Sequence, residues 1–481
     1  MSFRITHFNP DRIALIYLAW YIICTIRISL FDICSIALCQ ICVLTCVYIF
    51  FRILPNKTYT FILITILGTI QAIFAIAQQI GIAESNHVLF NITGFMGNPG
   101  QMGGVQAIAF ISTLLLLQQN NNWHYCYKLP ACIIALIILY SILLSKSRSA
   151  FIALFIGLII LFYRQVKIHI KRNRTLGVIM SIFFVAIIAF MYFQRTESVH
   201  ARLLIWRICM NMIADKPLFG FGTYGFNRYY MLYQAEYFKN NPNSTFIHVA
   251  DNAAYPYNEF IHIIINQGMV GLILFIIFIY TTFRTVDNIR ATAPLVTLIV
   301  FSCFSFPSFN ILSAIILPMH IANLIPNKRI EFDLKHKIHL ISLTCIALFC
   351  TIMINIYKKD YYISIQTLTD DTITNIYPTC ENWCSIGEYY MKQKEYAKAE
   401  HYFKEASFMI PTRISPNYLL WKSYLSQGKI NDADSICTHI LTQPIKVKNT
   451  YTIKIQREIK EWKTSQLTST IEIKNINRHL P

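Results

Sequence analysis

Apolar runs about as long as a bilayer is thick recur along most of this chain, and no other feature restricts its fold so tightly. A helix needs roughly 17–25 mostly apolar residues to cross the hydrocarbon core. With no water there, every backbone N–H and C=O must be satisfied inside the helix itself. Such runs are read near 13–30, 33–54, 59–83, 103–118, 130–145, 149–163, 175–193, 259–283, 291–306, 309–325 and 338–357. Composition agrees. Of 481 residues, 55% are hydrophobic and 14% charged, where a soluble domain carries about a quarter charged. The expected class is all-α: a polytopic α-helical membrane protein of about eleven transmembrane helices. A soluble helical domain is expected at its C-terminal end. The first run, from Ile13, has no small-residue cleavage site after it and reads as a retained signal anchor.

The formal charge of +18 raises the question of a polyanionic partner. Much of the Lys and Arg sits in short loops between apolar runs, where positive charge sets membrane orientation, so no nucleic acid is expected. The cluster Arg164, Lys167, Lys171, Arg172 and Arg174 is the strongest and is assigned to the cytoplasm. Alternation then places the loop 84–102, the turn 145–148 and a polar insert at 194–258 on the opposite face. An odd number of spans puts the tail there too. Fourteen cysteines lie mostly inside apolar runs, where they act as small hydrophobes. Their spacing matches no zinc pattern, Cys380 and Cys384 read as structural, and neither metal nor cofactor is expected.

Arginines on the outward face are the first candidates for chemistry. Arg148, in the turn Ser145-Lys146-Ser147-Arg148, lies between two apolar runs and needs a partner or a polar cavity there. Arg202 and Arg207 flank Trp206 at the start of the insert. Guanidinium groups suit bidentate contact with phosphate oxygens, so Arg148 and Arg202, with Arg207 and Lys146, fit a diphosphate at the membrane surface. Contact with lipid headgroups is the equal alternative. The stretch Gly94–Gly104, which contains Asn98, reads by composition as a simple turn, with a re-entrant loop lining a cavity as the alternative. His248, Asp251, Asn258, Glu259 and His262 gather where the insert re-enters the membrane, and a His or carboxylate there is a candidate general base.

Beyond about Lys358 the character changes. Trp383, Ile386, Gly387, Tyr390, Ala399, Phe403, Ala406 and Pro411 fall on tetratricopeptide-repeat (TPR) spacing, and a looser second copy follows. The expected domains are a membrane domain over 1–357 and a TPR-like helical domain over 358–481, serving as a packing module or a docking surface for a protein partner.

Several short motifs occur in a fixed order: the Gly-Asn-Pro loop at 97–99, Ser-x-Ser-Arg-x-Ala at 145–150 and Arg-x-x-x-Trp at 202–206. Asp-Lys-Pro-Leu-Phe-Gly-x-Gly follows at 215–222, then Asn-Glu-Phe at 258–260 before Gly-Met-Val-Gly-Leu at 268–272. Over roughly residues 60–330 this set resembles the O-antigen ligase/polymerase superfamily. The resemblance implies a metal-independent glycosyltransferase of the bacterial cytoplasmic membrane, acting on the periplasmic face. It implies an undecaprenyl-diphosphate-linked glycan as donor and lipid A–core, a growing polysaccharide or a protein as acceptor. Arg148 and Arg202 would then hold the diphosphate, with Asn258 and His262 also catalytic. Lys146, Arg207, Trp206, Asp215, Gly220, Gly222, Tyr257 and Asn98 would shape the substrate site. One departure stands out: Tyr257-Asn258 occupies the place of a His-Asn pair whose His is proposed as base. Tyr, with a pKa near 10, is a poor base at neutral pH. Either His248, Asp251, Glu259 or His262 substitutes, or diphosphate departure matters more than acceptor deprotonation. A non-catalytic scaffold and a lipid-linked-sugar transporter are the alternatives from other classes.

Overall fold

The computed structural model describes residues 9–27, 31–54, 56–87, 90–119, 125–172, 196–326, 377–446 and 448–478, with the single positions 175, 178 and 182. The expected runs at 175–193 and 338–357 lie essentially outside these residues. The described chain is helical throughout, with short 3-10 turns, and it divides into two compact units that do not follow chain order.

The first unit holds the apolar helices. In order these are α1 (Pro10–Ile26), α2 (Phe31–Ile53), α3 (Thr58–Gln79), α4 (Pro99–Gln119), α5 (Tyr125–Ser145), α6 (Arg148–Leu161) and α7 (Tyr163–Arg172). The loop Lys216–Thr223 belongs to the same unit. Nine expected spans coincide with helices, although four are long and apolar enough to cross a membrane by themselves. A fifth is counted if the bent pair formed by α6 and the start of α7 is one span. Helix α7 turns 80° away from α6 and carries Arg164, Lys167, Lys171 and Arg172 of the basic cluster, Arg174 lying outside the described residues.

Helix α4 is the centre of this unit, packed by α3, α5 and α6. A helix surrounded on all sides must let backbones come close, and small residues make that possible. A Cβ at Gly104 would strike the Phe301 ring, one at Gly103 would strike Ser145, and one at Gly68 would strike Ala109. Two buried amides on this helix reach across to neighbouring carbonyls: Gln106 donates to that of Gly68 (3.0 Å) and Gln101 to that of Phe306 (3.0 Å). At the other edge, Arg52 of α2 makes a two-pronged ion pair with Asp11 of α1 (both contacts 2.9 Å), and the Tyr48 hydroxyl donates to the same carboxylate (2.8 Å).

The second unit joins the polar insert to the tail. Its helices are α8 (Thr196–Asp215) and α9 (Gly225–Asn240) from the insert. After the membrane helices α10 (Glu259–Arg284), α11 (Ala293–Ser302), α12 (Ile311–Ala314) and α13 (Ile316–Leu324) of the first unit come the tail helices. These are α14 (Cys380–Lys392), α15 (Tyr396–Met409), α16 (Ile414–Ser426), α17 (Ile430–Thr442) and α18 (Thr450–Arg478). Helices α14 to α17 form two successive pairs. Their turns pass through left-handed backbone at Lys394 and Gly428. Equivalent positions of the two pairs are buried alike: Tyr390 and Tyr424, Ala399 and Ala433, Phe403 and Cys437. Gly387 leaves room for the Phe403 ring.

Insert and tail are tied by polar contacts. Gln234 on α9, almost fully buried, donates to the carbonyls of Met409 (2.6 Å) and Asp251 (3.2 Å). Asp251 pairs with Arg413 (3.1 Å) and Lys446 (3.0 Å), Arg413 also pairs with Glu381, and Lys239 pairs with Glu405. Burial pushes the Asp251 carboxyl up, but hydrogen bonding and charge from Lys446, the Asn252 backbone and Arg413 outweigh it and leave the pKa lowered.

Candidate active site

The site residues of the membrane unit lie at or near the starts of α4, α6 and α10. Asn98 caps α4, its side-chain oxygen accepting from the N–H groups of Gly100 (2.7 Å) and Gln101 (3.4 Å). Ser147 caps α6, accepting from the Ala150 N–H (3.4 Å), and its hydroxyl reaches the Gly100 carbonyl (3.5 Å). The two helix starts are therefore neighbours. Arg148 is the first residue of α6 and half-buried, while Lys146 before it is exposed in left-handed backbone, φ 48°. A helix start carries a partial positive charge and repels a cation. An arginine placed there, with a lysine two residues away, makes this helix start locally positive.

The glycine loop before α4 is not a free turn. Gln78 of α3 accepts from the N–H groups of Thr93 (2.9 Å) and Gly94 (2.8 Å), and Gln71 accepts from that of Phe95 (3.2 Å). Both glutamines are buried, so the loop is drawn in against α3. On the other side Phe306 links the start of α4 to that of α10: Gln101 donates to its carbonyl, and its ring meets Tyr255 and Tyr257.

Tyr257 has φ 53°, a costly conformation for a residue with a side chain. Asn258 follows as the cap of α10, accepting from Phe260 (2.9 Å) and Ile261 (3.1 Å) while donating to the Cys303 carbonyl (3.0 Å). Its side chain is thus occupied with the helix start. Inside α10, His262 lies between Glu259 (Nδ1 to Oε1, 3.4 Å) and Asn266 (Nε2 to Nδ2, 2.9 Å). The Asn266 amide N–H can donate to Nε2, and Nδ1 faces the carboxylate.

The motif at 215–222 braces a break in α10. Gly268 has φ 72° and ψ −176°, which interrupts the helix and frees backbone groups on both sides. The loop satisfies them: Phe221 N–H donates to Ile265 O (2.7 Å) and Gly222 N–H to Asn266 O (2.9 Å). In return Met269 N–H donates to Pro217 O (2.8 Å) and Val270 N–H to Leu218 O (3.3 Å). A Cβ on Gly220 would lie 2.6 Å from Ile265 O, and one on Gly268 would collide with the Leu218 carbonyl. Gly220, Gly222 and Gly268 all have positive φ, so glycine is required at each for backbone reasons. Helix α1 reinforces the break, a role its sequence did not advertise. Trp20 donates to the Gln267 carbonyl (3.1 Å), Arg27 to that of Phe219 (3.1 Å), and Thr25 bonds Thr223 (2.8 Å).

The remaining candidates belong to the second unit. Arg202 and Trp206 are partly buried on α8. Arg207 lies 5.6 Å from the Tyr237 ring centre, a cation–π contact, and Asp215 accepts from the Tyr233 hydroxyl. The latter two hold α8 to α9. His248 is exposed in a 3-10 turn, and Asp251 is committed to Arg413 and Lys446. The structure thus brings the starts of α4 and α6 together at Asn98 and Ser147, with Lys146 and Arg148 beside them in the chain; Tyr257 touches Phe306, whose carbonyl bonds Gln101, and His262 lies on the helix that Asn258 caps. Among the described residues, no group of three or more His, Cys, Asp or Glu side chains is placed to hold a metal.

These helix starts, the re-entry helix α10 and the brace fall largely within one stretch of known character. Residues 133–276 match the O-antigen ligase family. Within that stretch lie Arg148, Arg202, the 215–222 brace, Asn258 and His262. The chain is also similar to proteins described as candidate polysaccharide ligases. One from Rickettsia typhi is 25% identical over 195 residues, covering 38% of this chain and 44% of that protein. One from Rickettsia felis is 24% identical over 194 residues, with 38% and 45% covered, and one from Rickettsia prowazekii 22% over 206 residues, with 38% and 45%. The chain spans just under half the length of these curated relatives. No solved structure matches it significantly.

Proposed function

We propose that this chain is a glycosyltransferase of the O-antigen ligase type, moving a glycan from an undecaprenyl-diphosphate-linked donor to an acceptor at the outer face of a bacterial cytoplasmic membrane. The neighbouring starts of α4 and α6, with Arg148 and Lys146 at the second, are the observation that supports this most directly. In the transfer, an acceptor hydroxyl oxygen bonds the anomeric carbon and the bond from that carbon to the diphosphate oxygen breaks. The diphosphate leaves with the electron pair and gains charge as it does so. A guanidinium beside the leaving group stabilises that charge more in the transition state than before it. The acceptor's proton must go to a base, and His262 is the assigned one. With Asn266 donating to Nε2, that nitrogen takes the proton on exchanging Asn266 for the hydroxyl. Arg202 is assigned a second diphosphate contact on the family resemblance. The tail, read as TPR-like, serves acceptor or partner docking.

The test is transfer in cells lacking the chain and complemented with variants. Arg148→Ala and Arg202→Ala are each expected to cut product at least about 100-fold, the cost of losing one such charge-stabilising group, with lipid-linked donor accumulating. Normal glycan output from both variants at normal protein levels would defeat the reading. A scaffold reading draws on the joining of insert and tail in one unit. It predicts the reverse: tolerance of Arg148→Ala and failure on deletion beyond 377.

A further inference from the structure

Helix α6 is too short to cross a bilayer alone. Its 14 residues, Arg148 to Leu161, rise about 21 Å at 1.5 Å each, against a hydrocarbon core of roughly 30 Å. With Arg148 at the outer boundary, where the sequence places the turn 145–148, α6 ends about 9 Å short of the inner boundary. The chain does not continue straight on from there. Helix α7 turns 80° from α6, so beneath an upright α6 it runs nearly along the membrane plane, its ten residues covering about 15 Å. Amphipathic helices that lie in a membrane interface sit about 5–10 Å into the boundary between headgroups and acyl chains. That is the depth at which α6 delivers α7.

The residues of α7 suit this position. Arg164, Lys167 and Lys171 recur at intervals of three and four and share one face, with Arg172 at its edge. All four are exposed, and the helix contains no Asp or Glu. None of the four forms an ion pair among the described residues. Long cationic side chains lay their stems along hydrocarbon while holding the charge at phosphate level. Tyr163 and Val166, three residues apart, share the other face. The Lys167 ammonium lies 5.7 Å from the Tyr163 ring centre, where the two faces join. Ile168, 63% exposed, stands among the cations, which suits a boundary where acyl chain and phosphate meet. Positive charge alone would serve to orient a loop in water. A helix turned into the plane at this depth, with an apolar face, does more.

We infer that α7 is an interfacial helix of the cytoplasmic leaflet that binds the phosphates of anionic phospholipids through Arg164, Lys167, Lys171 and Arg172. An acidic protein would satisfy the charges alone; the apolar face and the depth call for lipid. The inference rests on the orientation read for the chain and is independent of glycan transfer at the opposite face. It is tested on the full chain in nanodiscs made from equal amounts of phosphatidylglycerol and phosphatidylcholine. The photoreactive residue p-benzoylphenylalanine replaces Ile168, or Leu136 on the α5 face, which is 65% exposed and serves as the reference for ordinary lipid contact. Adducts formed on irradiation are identified by mass spectrometry.

The expected result is lipid adducts at both positions. At 168 phosphatidylglycerol should exceed phosphatidylcholine at least about threefold, since each cation near the surface adds to the attraction, while the two are equal at 136. Replacing all four cations by Gln should abolish the excess at 168 and keep the lipid adducts. Arg164→Lys with Arg172→Lys, which retains the charge, should preserve the excess. Equal adducts of the two lipids at 168 in the otherwise unchanged chain would overturn the inference. So would an excess that survives removal of the four charges, the absence of lipid adducts at 168, or crosslinks there to a second copy of the chain in place of lipid.

Discussion

At the scale of single residues, two kinds of role separate that look alike in sequence. Arg148 begins a helix, where its charge adds to the positive end of the backbone dipole, and it is assigned to the donor diphosphate. Arg207 instead stacks on Tyr237, so it is assigned to holding the insert rather than the substrate. Arg207→Ala should therefore lower stability modestly, by up to about 1 kcal/mol for an exposed cation–π contact, and leave transfer nearly intact. Thermal melting and the transfer assay distinguish the two effects. Asn258 belongs to the structural group as well: as the cap of α10 its replacement by Ala should cost about 1 kcal/mol, and Asn258→Asp or Asn258→Ser should restore most of that. Recovery of stability without recovery of transfer would instead give Asn258 a chemical role. The motif pattern alone could not divide these residues, because caps, cation–π partners and ligands draw on the same polar side chains.

At the scale of elements, the motif at 215–222 turns out to be a brace for a broken helix. Gly220→Ala and Gly268→Ala should each be strongly destabilising, since a Cβ meets fixed backbone in both cases and φ is positive. A strained backbone position of this kind costs about 1–3 kcal/mol, read as a clear drop in melting temperature of the detergent-solubilised protein. The helices themselves were legible: nine apolar runs fall on helices, because span length and apolarity are local properties of sequence. Their joints were not. Composition favoured an ordinary turn at Gly94–Gly104, and the buried glutamines that draw it in lie on a different helix. The break at Gly268 hides inside a continuous apolar run, and its partners come from a loop some fifty residues earlier in the chain.

At the scale of the whole molecule, insert and tail form one unit, so they must lie on the same side of the membrane. Reporter fusions in the loop near Asn241 and after Thr442 are expected to report the same compartment, and opposite compartments would contradict the structure. The joint also has a pH dependence. Asp251 has a folded pKa below its unfolded value, so its contribution is fully present above the ordinary carboxylate pKa near 3.9 and is lost as pH falls through the lowered value. Its side chain is about half exposed (56%), so solvent screens the effect and a small one is expected. Limited proteolysis of the tail should rise modestly in strong acid for the wild type, and Asp251→Asn should show that susceptibility already at pH 7. Sequence spacing foresaw the paired helices of the tail. It could not foresee their union with α9, which depends on residues far apart in the chain.

The most direct test of the central claim is glycan transfer by purified protein. The full chain, reconstituted in lipid, is supplied with a polyprenyl-diphosphate-linked oligosaccharide and a panel of lipid, polysaccharide and protein acceptors, and released polyprenyl diphosphate is measured with the product. Release matched one-for-one by product, and lowered at least about 100-fold in Arg148→Ala at unchanged melting temperature, is the predicted result. Equal turnover by wild type and a folded Arg148→Ala variant would contradict the assignment of Arg148 to the diphosphate site.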